Sequence, residues 1–292
     1  MSDKITKAII PVAGLGTRFL PLSKSLPKEF FPLVDKPIIQ YIIEEVKKAG
    51  ISEIIFVVSP GQKMIANHFK VDEKLEKVLS KRKKENILKE LKDFDALLDG
   101  ISFKFVIQRN PLGDGHAILQ AAKYIKDESV AVSFCDDIIY GETPGLSQLI
   151  EIYKTCSCPV IGLKQMPKDE LSAYGVPAVE KIANRLFKIK KIVEKPEFGH
   201  ALSDLATVGK YILTPDVFHF LKKSKPSKRG EIILAEVFDK MLLFGKIIYG
   251  YEFRGEWLEC GNKEKWLKSF FYLSLRDPKY GAMLKDYLKK VW

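Results

Sequence analysis

The sequence predicts an α/β protein built on a doubly wound, Rossmann-like mixed sheet. In its first half, short β-branched runs alternate with segments of helical period. The links between them are short, a combination that demands right-handed βαβ units and a parallel sheet. After about Gly141 the texture changes to extended runs broken by Gly and Pro, the pattern of mixed or antiparallel strands.

The elements follow in order. "KAIIPVAG" is a first strand that runs into glycine. "KPIIQYIIEEVKKAG" places Ile38, Tyr41, Ile42 and Val46 on one helical face, with Pro37 near its start and Gly50 as a C-terminal cap. "SEIIFVVS" has the length and β-branching of a buried strand. In "VDEKLEKVLSKRKKENILKELKDFD", Leu75, Val78, Leu79, Ile87, Leu88 and Leu91 recur at helical spacing among charges, which predicts one or two solvated amphipathic helices. "ISFKFVIQ" is a strand, "GDGHAILQAAKYI" a glycine turn and helix, and "SVAVSFCDDII" a further strand. "PVIGLKQM", "YGVPAVE", "LFKIKKIVEKP" and "TVGKYILT" are extended runs. The last thirty or so residues return to helix, with Trp266, Phe270, Phe271, Leu273 and Leu275 offering apolar surface either to the body or to another subunit. No repeat or linker divides the chain, so 1–292 reads as a single domain.

The bulk numbers narrow the class. With 292 residues, 46% hydrophobic and 29% charged, the chain has globular composition. No apolar stretch approaches the roughly 20 residues of a membrane helix, and the apolar core near the N-terminus is too short for a secretory signal. A cytoplasmic protein without membrane association is the expectation. Cys135, Cys156, Cys158 and Cys260 lack the paired spacing of a zinc site and read as reduced structural thiols. The net charge of +11 invites a nucleic-acid reading, but the lysines alternate with acids in one helical tract, so a nucleic-acid partner is not expected.

The chemistry begins at Gly14 and Gly16, directly after the first strand. Glycine tolerates positive φ and leaves backbone N–H groups unobstructed, so such a turn can wrap around phosphate oxygens. Arg18 adds a planar fork and Lys28 a compact charge on a long stem. The G-L-G-T-R spacing matches neither the G-x-G-x-x-G dinucleotide fingerprint nor the G-x-x-x-x-G-K-[ST] loop. Asp136 and Asp137 end an apolar strand, where a carboxylate can hold Mg²⁺ against phosphates. Gln108, at another strand end, carries an amide that donates and accepts at once, matching the imide edge of a pyrimidine.

"GLGTRFLPLSKSLPKEFFPLVDKP" resembles the signature of the sugar-phosphate nucleotidylyltransferases. The resemblance continues in family order through "QRNPLGDGHAI", "FCDDI", "AYGVP", "IVEKP", "VGKYIL", "RGEIIL" and "WLECGNK" and covers nearly the whole chain. The charged tract also resembles the helical insertion of the uridylyltransferases, which favours UTP over dTTP. It implies a glycosyltransferase-A-like fold with a nucleotide-binding part over 1–140, a sugar-binding and sheet-completing part over 141–262, and a helical segment over 263–292. The implied reaction is Mg²⁺-dependent transfer of UMP from UTP to glucose 1-phosphate, giving UDP-glucose and pyrophosphate, by an enzyme that forms a homodimer or homotetramer. The same chemistry on another nucleotide or sugar phosphate, or a paralogue that binds sugar nucleotides without turnover, are the competing readings.

Carried over residue by residue, the resemblance assigns Arg18 to the leaving pyrophosphate and Lys28 to phosphate or nucleotide. Ala13, Gly14, Gly16 and Glu29 lie near the nucleotide, and Gln108 and Gly113 contact the base. Asp136 takes the metal-binding position and Asp137 lies nearer the sugar. Glu194 would accept from sugar hydroxyls, Lys195 would pair with the sugar phosphate, and Gly175 and Gly209 would offer backbone N–H groups. His116 is expected to pack rather than catalyse. Four positions depart from the family pattern, one of them Ile233 of "RGEIIL", where the family more often has Gln. Cys135 replaces Pro or Gly. Lys210 stands where Arg is more frequent. Glu259 replaces an Asp that helps hold the metal in some branches, and its extra methylene moves the carboxylate by roughly 1.5 Å.

Overall fold

The computed structural model describes residues 4–227 and 230–291. The chain opens with β1 (Lys7–Val12), a short hairpin of β2 (Pro32–Leu33) and β3 (Lys36–Pro37), helix α1 (Ile38–Lys48) and β4 (Glu53–Val58). Helices α2 (Met64–His68), α3 (Glu73–Lys81) and α4 (Glu85–Leu97) precede β5 (Ser102–Ile107), α5 (Asp114–Gln120), β6 (Val130–Ser133) and β7 (Asp137–Tyr140). Then come α6 (Gly145–Cys156), β8 (Val160–Gln165), β9 (Gly175–Ala183), β10 (Leu186–Glu194), β11 (Leu205–Leu213), α7 (Pro215–Lys223) and α8 (Leu234–Leu243). The chain closes with β12 (Tyr249–Glu252), β13 (Glu256–Glu259), α9 (Lys263–Ser274) and α10 (Gly281–Val291).

Nine strands form one sheet in the order β5-β4-β1-β6-β11-β8-β12-β10-β9. The half containing β5, β4, β1 and β6 is parallel. β11 then runs antiparallel to both β6 and β8, and β9 and β10 form an antiparallel edge. The extended runs after Gly141 therefore continue the first sheet rather than building a second one. Alternation along the strands divides the core: Ile10, Ile54 and Phe56 pack under α1 and α6, while Ile9, Ile55 and Val57 pack with Ile118 of α5 and Val237 of α8. That two-sided burial is the doubly wound architecture the sequence predicts.

Helix α1 begins directly after Pro37 and ends with Gly50 at φ +77°, whose N–H donates to the Lys47 carbonyl. The charged tract forms α3 and α4, and Leu75, Val78 and Ile87 on it remain exposed. The run "SVAVSFCDDII" is not one strand. It breaks between β6 and β7, because Phe134 N–H turns to the Gly209 carbonyl and β7 leaves the main sheet to pair with β13. Helices α6, α7 and α8 lie in the half read only as extended runs. Of the C-terminal aromatics, Trp266 packs edge-on against Phe31 and donates to the Pro32 carbonyl, whereas Phe271 stays 55% exposed. All four cysteines are free thiols, with Cys135 and Cys260 buried. Among the described residues no helix is long and apolar enough to cross a membrane.

Candidate active site

Two hollows meet beyond the carboxyl ends of β1 and β6, the place where open α/β sheets bind ligands. The larger, about 500 Å³, is walled by Asp136, Asp137, Tyr174, Gly175, Glu194 and Lys195. The smaller, about 220 Å³, is walled by Gly14, Gly16, Thr17 and Lys28. Arg18, Asp136 and Gly261 line both.

The loop after β1 is shaped by Gly16, whose φ of +61° turns the chain into a short 3₁₀ segment over Thr17–Phe19. The Ser23 hydroxyl donates to the Gly16 carbonyl at 2.8 Å and holds that turn. Gly14 does not adopt positive φ; open space surrounds its Cα, so its contribution is an unobstructed backbone. Buried Phe19 meets Phe31 edge-on at 4.8 Å and anchors the loop, leaving Arg18 exposed above it with Nη1 3.5 Å from the Gly261 carbonyl.

Lys28 Nζ donates to Asp136 Oδ2 at 2.7 Å. Burial opposes the charge on Lys28, yet the Asp136 and Glu29 carboxylates outweigh it and raise its pKa. Burial likewise opposes ionisation of Asp136, and the Lys28 ammonium and Arg18 outweigh it, so Asp136 stays below the ordinary carboxylate range. Asp137 is pushed up by burial and by the Asp136 and Glu259 charges. It accepts from Trp257 Nε1 at 2.7 Å and from Gly209 N–H at 3.2 Å. A side chain at Gly209 would place Cβ 2.3 Å from Asp137 Oδ2, so only glycine lets the two strands approach. The Gly209 N–H, expected to face a sugar, donates to Asp137 in this structure.

On the opposite wall, Glu194 Oε1 lies 3.7 Å from Lys195 Nζ. Burial, then the Asp114 charge, raises the Glu194 pKa against the pull of Lys195. Lys195 itself adopts φ +49°, a left-handed conformation that strains a residue with a Cβ. Its N–H donates to the Tyr174 carbonyl at 2.9 Å, which fixes that conformation.

The arrangement fits a divalent cation. A Cβ built on Gly261 would lie 3.2 Å from Glu259 Oε1, 3.4 Å from Asp136 Oδ2 and 3.6 Å from Arg18 Nη1. Two carboxylate oxygens and the guanidinium thus face a common space where glycine has only hydrogen, with Asp136 Oδ2 also accepting from Lys28. Burial, then the Asp136 charge, pushes Glu259 up to about 7, a repulsion that a cation between them would relieve. Among the described residues no group of three or more His, Cys, Asp or Glu side chains is arranged so as to hold a metal ion by itself. Two carboxylates with substrate phosphates and water are a sufficient donor set for Mg²⁺. The second oxygen of Glu259 is held by Lys265 at 2.8 Å and by the Tyr174 hydroxyl.

Not every residue singled out in the sequence lines this cleft. Gln108 is buried, with its Nε2 2.9 Å from His116 Nδ1, and lines neither hollow. Gly113, at φ +96°, lies against the Ile232 backbone. Ala13 is buried, and Glu29 lies behind Lys28 with Oε1 unpartnered among the described residues and its pKa raised to about 7, chiefly by burial. His116 bridges Gln108 and Gln120 in the helix, consistent with packing. Arg229 of the "RGEIIL" motif lies outside the described residues. Residues the motifs did not single out complete the wall: Trp257 on Asp137, and Lys265, which binds Glu259 and sits 4.5 Å from the Tyr174 ring centroid. Both lie in or just beyond "WLECGNK"; Asp137 and Tyr174, which they meet across the cleft, are far away in sequence, while Glu259 is only six residues from Lys265.

Comparison with known proteins bears on the family and the fold. A family model described as nucleotidyl transferase matches residues 7–273. UTP–glucose-1-phosphate uridylyltransferase 1 of Staphylococcus saprophyticus is 38% identical over 288 residues, 99% of each chain. The solved UTP-bound UGPase from Acinetobacter baumannii superposes with a TM-score of 0.90 at 33% identity, over 99% of this chain and 100% of that one. A UDP-glucose pyrophosphorylase complexed with UDP-glucose gives 0.82 at 34% identity, over 92% and 98%. With its sheet, its cationic loop and its strand-end carboxylates all accounted for, the chain belongs to the nucleotidyl transferase family of enzymes.

Proposed function

We propose that the chain transfers UMP from UTP to glucose 1-phosphate, forming UDP-glucose and pyrophosphate. The observation that carries this reading is the meeting of two hollows at Arg18 and Asp136, with the cationic loop on one side and Glu194–Lys195 on the other. A nucleoside triphosphate with its phosphates on the cationic loop and a sugar phosphate on Glu194 and Lys195 would bring their reacting groups to that junction. The names of the relatives, and the UTP and UDP-glucose carried by two similar structures, support the same pair of ligands.

In the reaction, an oxygen of the sugar phosphate bonds to the α-phosphorus of UTP. The bridging bond to the β-phosphate breaks, and pyrophosphate leaves with the electron pair. The nucleophile is already an anion, so no general base is needed, and alignment with charge neutralisation does most of the work. Lys195 holds the sugar phosphate, and Glu194 accepts from sugar hydroxyls beside it. On this reading Arg18 neutralises the departing pyrophosphate, and Lys28, which pairs with Asp136, reaches the nucleotide phosphates. Asp136 and Glu259 would hold Mg²⁺, which when bound screens the phosphates and polarises the phosphoryl group.

A pyrophosphate-release assay over a matrix of nucleoside triphosphates and sugar 1-phosphates, with and without Mg²⁺, tests the reading. Release confined to UTP with glucose 1-phosphate and dependent on Mg²⁺ supports it. Faster release with dTTP or another sugar phosphate reassigns the substrates, and no release with any pair removes the activity.

A further inference from the structure

A separate hollow of about 660 Å³ lies between α7 and α8 and shares no lining residue with the cleft. Its form follows from the end of α8. There Gly245 adopts φ +75°, its N–H donates to the Leu242 carbonyl, and Lys246 N–H donates to the Met241 carbonyl at 3.0 Å. This left-handed cap stops the helix and leaves Phe244 pointing outward, 77% exposed. Phe220 of α7 meets that ring at 5.7 Å between centroids and 67° between planes, so the two faces form an L-shaped apolar notch.

The rim of the notch is cationic. Lys223, Lys225, Lys240 and Lys246 line it, against one carboxylate, Asp216. Asp216 is already engaged by Lys246 at 3.2 Å and by the Thr214 hydroxyl. Among the described residues, Lys223, Lys225 and Lys240 have no carboxylate partner. Aromatic faces that share a hollow with ammonium groups lacking a carboxylate partner are complementary to a ring that carries negative charge. The volume falls within the roughly 300–1,000 Å³ of small-molecule sites. We propose that this hollow binds a small aromatic anion, its ring against Phe220 and Phe244 and its charged group on Lys223, Lys225 and Lys240. The proposal is independent of the reaction assigned above, because no residue of the cleft takes part.

The test titrates the full chain with 8-anilinonaphthalene-1-sulfonate and follows its fluorescence. Saturable binding is expected, with affinity falling about tenfold or more in Lys223→Glu/Lys240→Glu and in Phe244→Asp, a loss of roughly 1.4 kcal/mol or more. These side chains are exposed, so the variants should keep the parent circular dichroism and Tm. Arg18→Ala in the cleft and Phe271→Asp on the C-terminal helix should bind the probe as the parent does. Displacement by 1-naphthyl phosphate but not by dodecanoate identifies an aromatic anion. Unchanged affinity in the lysine and Phe244 variants, loss in either control instead, or equal displacement by dodecanoate would overturn the proposal. So would probe binding unaltered in Phe244→Asp together with a change from oligomer to monomer in sedimentation, which would make this face an interface between copies.

Discussion

Lys28 and Asp136 stand 108 residues apart in the chain and 2.7 Å apart in the fold, and Lys195 faces the same cleft from its other wall. A cation that acts chiefly on charge in the transition state is costly to remove there. Lys195→Ala should therefore lower kcat by about 10²–10³-fold with little change in Tm; parent-like turnover in steady-state assays would remove Lys195 from the reaction. Glu29 makes a second prediction through its buried carboxyl, raised to about 7 from an ordinary value of 4.5. Between those values the folded chain retains a proton that the unfolded chain has lost, so this group makes stability fall as pH rises through that window. The penalty is absent below pH 4.5 and complete above pH 7, at an upper bound of roughly 3 kcal/mol. Glu29→Gln should accordingly raise Tm at pH 8 and leave it nearly unchanged at pH 4.5, measured by calorimetry at both. Equal effects at the two pH values would show that ionisation of Glu29 is not the cause.

At the scale of elements, Lys210 of β11 is fully buried and ties four parts of the structure together. Its Nζ lies 2.7 Å from Glu45 Oε2 of α1 and donates to Ser133 Oγ of β6 at 2.8 Å, while Glu45 Oε1 accepts from Leu146 N–H of α6 at 2.8 Å. The resemblance leaves this departure from Arg open between sugar contacts and subdomain packing; the structure gives the position a packing role beside the Gly209–Asp137 contact. Removing one partner strands the other as a buried charge, which costs about 3–5 kcal/mol. Lys210→Met should reduce stability by that amount in denaturant titrations, and adding Glu45→Met should restore part of it. A Lys210→Met loss below about 1 kcal/mol would mean that the network contributes little. The elements themselves were unevenly legible. α1 and β4 carry unbroken apolar periods and end in glycine or a polar residue, and both formed where expected. α6 and α8 carry a helical period that the extended-run reading of this half passes over: Leu146, Leu149, Ile150 and Tyr153 in one, and Leu234, Val237, Phe238 and Met241 in the other, are the buried faces. The break between β6 and β7 was also invisible, since "SVAVSFCDDII" is continuously apolar until its acids, and the bend depends on Gly209 and β13.

For the whole molecule, the cleft joins the parallel half of the sheet to the antiparallel half, and a ligand spanning it binds only the folded chain. UTP with Mg²⁺ at one hundred times its dissociation constant should stabilise the fold by about 2.7 kcal/mol and raise Tm by roughly 5 °C in differential scanning fluorimetry. No shift at saturating UTP would contradict nucleotide binding. The sequence by itself determined the βαβ order of the first half, the cationic turn after β1, the two strand-end acids and the likeness to nucleotidyl transferases. Those features are local: periodicity sets which backbone forms and which face is apolar, and a motif is contiguous by definition. Only the tertiary structure decided that β11 inserts antiparallel between β6 and β8, and that Asp136 and Glu259 share the space above Gly261. It alone decided that Gln108 turns to His116, and that Trp257 and Lys265 complete the wall. The β11 insertion, the Asp136–Glu259 approach and the Trp257–Asp137 contact depend on the register between segments distant in the chain, and register is set by the packing of the whole sheet rather than by any residue's own preference. The Gln108–His116 and Lys265–Glu259 contacts span only eight and six residues, but side-chain direction there is set by what packs around them.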